Sequence, residues 1–222
     1  MKLTNQQIQY VSDYIKSKDI KWYELQVELT DHMVSSMEEF WEQNPDLPFE
    51  QVKENTFKKF TKPELKAIEK QRTKILGKEF RHSQWKMIKE YLQFPKIFAT
   101  LILLFLSYNL LLYFNKPLRS IAILFGFLLV LYIPFIFNYF KNREIDGKRF
   151  LQIEQMSPIH VGLGFINLGL NGGNLCKEWI EQYNIVRFIF CALWVLGILF
   201  LFTGNQIYKN NLATIKKQYQ LT

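Results

Sequence analysis

Residues 120–140 read SIAILFGFLLVLYIPFIFNYF, a run of twenty-one residues without a charged side chain. Two further uncharged runs, IFATLILLFLSYNLLLYFN at 97–115 and FIFCALWVLGILFLFTGNQIY at 188–208, are of similar length. An α-helix needs about 20 apolar residues to cross the hydrocarbon core of a bilayer. A helix buried in a soluble core would normally keep a polar face, which these runs lack. The three runs therefore predict a multi-pass membrane protein.

A fourth uncharged segment, QMSPIHVGLGFINLGLNGGNLC at 155–176, is more polar than the other three. With it, the predicted spans are about 96–115, 120–140, 156–176 and 187–208. On a helix, its polar and small residues fall on one stripe at spacings of four and three: His160, Gly164, Asn167, Asn171 and Asn174. The stripe can pack helices together, or it can line a water-filled path or a small-ligand site, and both interpretations stay open. The sequence NGGN at 171–174 also allows a break in this helix.

The net charge of +8 is unevenly distributed. Residues 1–50 carry four basic and ten acidic side chains, whereas residues 51–93 carry twelve basic and five acidic ones. The basic part precedes the first predicted span, where a cation beside anionic lipid gains about 1 kcal/mol. We expect contacts with lipid headgroups from Arg81, Lys86, Lys89 and Lys96. Nucleic acid is not an expected partner, because no DNA-binding motif accompanies the charge.

Basic residues near the predicted span ends indicate the orientation of the chain. With both termini inside, thirteen lysine or arginine residues lie on the inner side and four on the outer side. The start, MKLTNQQIQYVSDYIK, lacks the apolar segment of a signal peptide. These features predict a bacterial inner-membrane protein with four crossings and both termini in the cytoplasm. The expected fold class is all-α, with a cytoplasmic helical domain over 1–92, a four-helix transmembrane bundle over 93–210 and a cytoplasmic tail over 209–222.

The first 92 residues show helix signals throughout. Thr4 and Gln7 have the spacing of a capping box, which predicts a helix that ends near Lys18. Asp19 is expected to cap a second helix over about 21–43, and the prolines of NPDLP at 44–48 end it. A third helix carries Phe49, Val52, Phe57 and Phe60. A long basic helix follows, with inward positions predicted at Leu65, Ile68, Ile75, Phe80, Ile88 and Tyr91.

The second predicted helix has an acidic face within ELQVELTDHMVSSMEEFWE at 24–42. Glu28 and His32 lie one turn apart, but a metal site needs three or four convergent ligands, and no matching His or Cys pair exists elsewhere in the sequence. No metal and no cofactor is therefore predicted. We expect this surface to bind a protein partner through Glu24, Glu28, Asp31, His32, Glu38 and Glu42.

The stretch WYELQVELTDHMVSSMEEF, followed by a proline-marked break and a Phe-rich helix before KAIEKQR, resembles the helical domain called HAAS. That domain precedes membrane spans in bacterial regulatory and permease-associated proteins. The resemblance covers residues 15–80 and depends on Glu28-Leu29, Asp31-His32 and Glu38-Glu39. The whole chain is also similar to multi-pass membrane proteins of Bacteroidota. The resemblance implies an interaction module on the inner face of the membrane.

No enzymatic activity is predicted, since the serines lack a nucleophile-elbow motif and Cys191 lies in a predicted span without an adjacent base. The first functional hypothesis is a membrane regulator or accessory subunit whose acidic helix face recruits a partner. The alternative is a small transporter or channel subunit that uses the polar third span. Homo-oligomerisation is compatible with both.

Overall fold

A computed structural model describes residues 1–114, 116–157 and 159–221, except for the side chain of His160. These residues form ten helices and one two-stranded hairpin, which confirms the all-α prediction. The chain divides into two compact units. Unit 1 comprises Met1–Lys78 and Glu144–Gln155, and unit 2 comprises Glu79–Arg143 and Met156–Thr222. Unit 1 thus ends within the region predicted as the cytoplasmic domain over 1–92, and it also includes an internal segment of the chain.

The helices of unit 1 begin and end close to the positions that the sequence predicts. They are α1 (Asn5–Ser17), α2 (Tyr23–Gln43), α3 (Phe49–Lys59) and the first part of α4 (Lys62–Tyr91). The predicted capping box is present, since Gln7 N–H donates to Thr4 Oγ1 and Thr4 N–H donates to Gln7 Oε1. α2 ends directly before the proline-containing turn, which has no helical geometry. The core contains Val11, Ile15, Leu25, Leu29, Met33, Met37, Val52 and Leu65.

Two predictions for this region are wrong. Asp19 does not cap α2: it has a φ of 65° after the end of α1, and its carboxylate accepts a hydrogen bond from Lys62 Nζ at 3.1 Å. A short polar side chain tolerates this left-handed conformation, so Asp19 ends one helix rather than beginning the next. On α4, Ile68 and Ile75 are exposed while Leu76 is buried with Leu65. Eleven residues make about three turns, which aligns residues 65 and 76 on one face.

The chain between 144 and 155, which lies between the second and third predicted spans, forms regular secondary structure. Strands β1 (Glu144–Ile145) and β2 (Lys148–Arg149) form an antiparallel hairpin, followed by the short helix α7 (Leu151–Gln155). The turn residues Asp146 and Gly147 have φ values of 50° and 71°, as a tight two-residue hairpin turn requires. The apolar side chains of this segment are buried: Ile145, Phe150, Leu151 and Ile153.

Unit 2 contains a helix at each of the four predicted spans. They are α5 (Ile97–Tyr113), α6 (Pro117–Lys141), α8 (Ile159–Leu175) and α10 (Asn184–Gln218), and the short helix α9 (Lys177–Gln182) precedes α10. Among the described residues only α6 and α10 are both long and apolar enough to cross a membrane, while α5 is apolar but has 17 residues. α8 also has 17 residues and includes five glycines and three asparagines, which lower its hydropathy.

Two details of unit 2 differ from expectation. α8 continues through Asn171–Asn174, so the glycine pair does not break the helix. α10 extends to Gln218, and most of the predicted tail is therefore helical. The core joins α6 to α10 through Trp194, whose Nε1 donates to Leu124 O at 2.7 Å. The last part of α4 packs on α10, where buried Gln84 donates to Phe200 O at 3.0 Å.

Candidate interaction surface on the acidic helix

The acidic face of α2 is the set Glu24, Glu28, Asp31, Ser35, Glu38 and Glu42. It exists because α2 buries the opposite side through Leu25, Leu29, Met33 and Met37. This pattern of buried positions, spaced by four, turns the acidic residues away from the core of unit 1. In the structure, these six residues differ in their exposure and in their contacts with the rest of unit 1.

The C-terminal end of the acidic face holds the start of the chain. Glu38 Oε1 accepts a hydrogen bond from Leu3 N–H at 2.9 Å, and Glu42 Oε1 lies 3.3 Å from the amino nitrogen of Met1. Leu3 is buried beside this contact. Glu38 and Glu42 therefore already have partners within unit 1.

The N-terminal end of the acidic face binds the segment 144–155, which we call the docking segment. Gln152 N–H, in the first turn of α7, donates to Glu24 Oε1 at 3.0 Å. Burial raises the pKa of the Glu24 carboxyl, while hydrogen bonds from backbone N–H groups and the charge of Arg72 oppose the increase. Glu24 Oε2 is buried and has no hydrogen-bond partner in the described part of the chain. Glu24 is thus an internal contact of unit 1.

Aromatic rings beside Glu24 hold the hairpin of the docking segment. The guanidinium of Arg149 lies 5.2 Å from the Trp22 ring centroid, and Lys148 Nζ lies 4.2 Å from that of Tyr23. Phe150 packs edge-on against Tyr23 with 5.7 Å between ring centroids. The backbones of Trp22 and Arg149 also pair in a parallel bridge. The docking segment is therefore attached to the start of α2 by charge, ring contacts and backbone pairing.

The middle of the acidic face remains exposed. Glu28 and Asp31 of the acidic face and the adjacent His32, which together we call the central patch, are all exposed. Asp31 also lines a groove of about 390 Å³ between α1 and α2. Both apolar and polar side chains line this groove, and the other lining residues include Ile8, Ser12, Lys16, Val27 and Val34. Of the predicted partner-binding residues, the central patch is the part that a partner can reach without displacing an internal contact.

The polar stripe on α8 lies on an exposed face. Gly164, Asn167, Asn171 and Asn174 are all exposed, and the side chain of His160 lies outside the part of the chain that the structure describes. The face that packs on α6 carries other glycines. A Cβ added at Gly169 would lie 2.1 Å from the Phe125 ring, and one added at Gly162 would lie 1.8 Å from the Tyr132 ring. Close approach to two aromatic rings thus determines which side of α8 faces inward.

The four predicted headgroup residues, Arg81, Lys86, Lys89 and Lys96, are exposed on unit 2. Lys96 lies 3.7 Å from a carboxylate oxygen of Glu90 and 4.9 Å from the ring centroid of Tyr91. No group of three or more His, Cys, Asp or Glu side chains within the described residues could hold a metal ion. Cys176 and Cys191 are both free thiols.

Sequence reasoning missed the docking segment. Its signals were the Asp146-Gly147 pair, typical of a hairpin turn, and the apolar residues that follow it within a charged loop. The contact partner of this segment could not be predicted from the sequence, because residues 22–24 lie at least 120 positions earlier in the chain.

Comparisons of this chain with protein-family models, with curated protein sequences and with solved structures give no match. The resemblance of residues 15–80 to the HAAS domain therefore stays a prediction, and the proposals below depend on the geometry and chemistry of the chain itself.

Proposed function

We propose that this chain is an integral membrane regulatory or accessory protein. Its helical domain binds a protein partner in the cytoplasm and couples that partner to the membrane helices. The observation that carries the proposal is the attachment of the docking segment to Trp22, Tyr23 and Glu24. The docking segment connects α6 to α8 along the chain. A partner that binds α2 therefore binds the helix to which this connection between two apolar helices is attached.

Exposed apolar side chains support a location in the membrane. In their most apolar stretches, only 33% of α6 and 50% of α10 are buried, whereas the core helix of a soluble protein is mostly buried. Several large apolar side chains on α5 and α6 are more than half exposed, among them Phe105, Phe127 and Phe137. A soluble monomer rarely exposes apolar surface on this scale, and lipid is the partner that fits it.

Unit 1 is made of two separate stretches of the chain, which supports an even number of membrane crossings between them. Residues 1–78 and 144–155 belong to one compact unit and must lie on the same side of a membrane. If α6 crosses, then α5 crosses as well, because α5 is the only other apolar helix among the described residues between 79 and 143. A helix of 17 residues is at the lower limit for a span.

Close packing of α8 between α6 and α10 favours a third and fourth crossing, with Gly169 against Phe125 and Gly197 against Leu128 and Phe165. With the excess of basic residues on one side, this arrangement supports both termini in the cytoplasm of a bacterial cell and the four-helix bundle in the inner membrane. The tail and the exposed basic residues of α4 then face anionic lipid.

Charge reversal in the central patch tests partner binding. We expect the double variant Glu28→Lys with Asp31→Lys to lose at least one protein that crosslinks to the wild-type chain in intact membranes, as identified by mass spectrometry. Glu54→Lys is the matched control, since Glu54 is exposed on α3. Identical sets of crosslinked proteins for the double variant, the control and the wild type would contradict the proposal.

The alternative function, a transporter or channel subunit, requires the polar stripe on α8 to line an enclosed path. Gly164, Asn167, Asn171 and Asn174 are exposed on unit 2, so a path lined by them would need a second copy of the chain to enclose it. The regulatory proposal does not require an enclosed path through the membrane and is the one that we develop.

A further inference from the structure

A second site lies in unit 2, where the C-terminal end of α5, the start of α6, α9 and the start of α10 meet. A cavity of about 530 Å³ opens there, within the size range of small-ligand sites. Its lining residues are Leu112, Phe114, Lys116, Pro117, Glu181 and Arg187. The cavity therefore combines two cations and one carboxylate with the side chains of three apolar residues.

Arg187 is held in place by its own contacts. Its Nε donates to Ile180 O and its Nη2 donates to Glu181 O, each at 2.7 Å. A guanidinium has five N–H donors, so three remain for another acceptor. These bonds fix the plane of the guanidinium beside the cavity, and fixed planar donors favour the oxygens of a phosphate or carboxylate.

Lys116 and Glu181 supply charges without internal partners. Within the described residues, neither the Lys116 ammonium nor the Glu181 carboxylate has a hydrogen bond or an ion pair. A ligand that satisfies all three side chains carries an anionic group for Lys116 and Arg187 and a cationic N–H donor for Glu181.

Exposed aromatic side chains surround the cavity at the ends of the apolar helices. Tyr113 is 84% exposed and Trp179 is 61% exposed, and Phe114 itself lines the cavity. Aromatic residues are enriched where a membrane protein passes from hydrocarbon to headgroups. This belt of exposed aromatic side chains at the ends of the apolar helices favours a lipid headgroup over a water-soluble anion.

We infer that this cavity binds the phosphoethanolamine headgroup of a membrane phospholipid, with the phosphate at Lys116 and Arg187 and the ammonium at Glu181. The inference depends on the proposed membrane location. A primary ammonium donates hydrogen bonds to the carboxylate, whereas the quaternary ammonium of phosphocholine has no N–H and is expected to bind less well.

The test measures lipid binding to the full chain in detergent by native mass spectrometry, with phosphatidylethanolamine, phosphatidylcholine and phosphatidylglycerol added separately. We expect the wild type to prefer phosphatidylethanolamine. Lys116→Gln should weaken its binding about tenfold, as expected for the loss of one charge-assisted hydrogen bond. Glu181→Gln should remove the preference over phosphatidylcholine. Lys177→Gln and Glu178→Gln are controls with exposed neighbouring charges outside the cavity lining.

Three results would overturn the inference: equal lipid binding by Lys116→Gln and Lys177→Gln, no headgroup preference in the wild type, or displacement of the lipid by inorganic phosphate at equal concentration. Thermal unfolding of each variant shows whether it is folded. Retention in alkali-washed membranes is measured separately. A chain that stays in the membrane without headgroup selectivity refutes only this inference, whereas a chain released by alkali refutes the membrane location itself.

Discussion

At residue 24, a carboxylate that the sequence places on an outward acidic face serves an internal contact. Burial raises its pKa, so the folded protein holds this proton more tightly than the unfolded chain does. The contribution of Glu24 to stability is therefore complete below the ordinary glutamate value of 4.5, and it is lost as the pH rises through the raised pKa. The docking segment is therefore attached to a carboxyl group, that of Glu24, whose charged form is disfavoured in the folded protein.

Glu24→Gln should remove this pH dependence, because glutamine keeps an acceptor for Gln152 N–H and does not titrate. We expect its thermal midpoint in detergent to exceed that of the wild type above the titration window and to match it below pH 4.5. Glu28→Gln, at an exposed position one turn away, is the control and should follow the wild type throughout. The same pH-dependent gain in both variants would refute the role of Glu24.

Gly169 illustrates a second constraint at the level of single residues. A Cβ at this position would lie 2.1 Å from the buried Phe125 ring, so Gly169→Ala should destabilise unit 2 by about 1–3 kcal/mol through overpacking. Gly164→Ala is the control, since its Cβ would meet open space. A clear fall in the thermal midpoint for Gly169→Ala alone is the expected outcome. Equal midpoints for the two variants would show that α8 does not pack on α6 through this face.

Among the secondary-structure elements, the docking segment gives the clearest prediction. Trp22→Ala removes the ring beneath the Arg149 guanidinium and the Nε1 donor to Glu69. We expect faster amide hydrogen exchange over residues 145–155, because the hairpin and α7 lose part of their attachment to α2. Lys141→Ala, at an exposed position just before the segment, is the control. Unchanged exchange in Trp22→Ala would mean that other contacts suffice to hold the segment.

α2 itself explains why a pattern of charge is not the same as a binding surface. Helical spacing places six residues on one face, yet Glu24, Glu38 and Glu42 contact other parts of unit 1. Charge reversal at those three would disturb the fold and would not report on a partner. The central patch separates the two effects, since its residues are exposed.

For the whole molecule, the decisive prediction concerns sidedness. In a chain whose native cysteines are replaced, Ser35→Cys and Asp146→Cys should both be protected from a membrane-impermeant thiol reagent in intact cells, because both belong to unit 1. Lys177→Cys should react, since it follows α8 and precedes α10. Labelling of Ser35→Cys or Asp146→Cys from outside would contradict the cytoplasmic location of unit 1. Protection of all three would contradict a crossing by α8.

Much of this organisation follows from the sequence alone. The uncharged runs, the capping box at Thr4 and the prolines at 45 and 48 place the helices, because these signals act over a few residues of the same chain. Only the tertiary structure decides that residues 144–155 pack on the start of α2, that Asn167 and Asn171 point outward on α8, and that Glu24 is internal while Glu28 is exposed. Those outcomes depend on contacts between distant segments and on which face of a helix packs most closely. The spacing of residues in the local sequence does not distinguish one of these faces from the other.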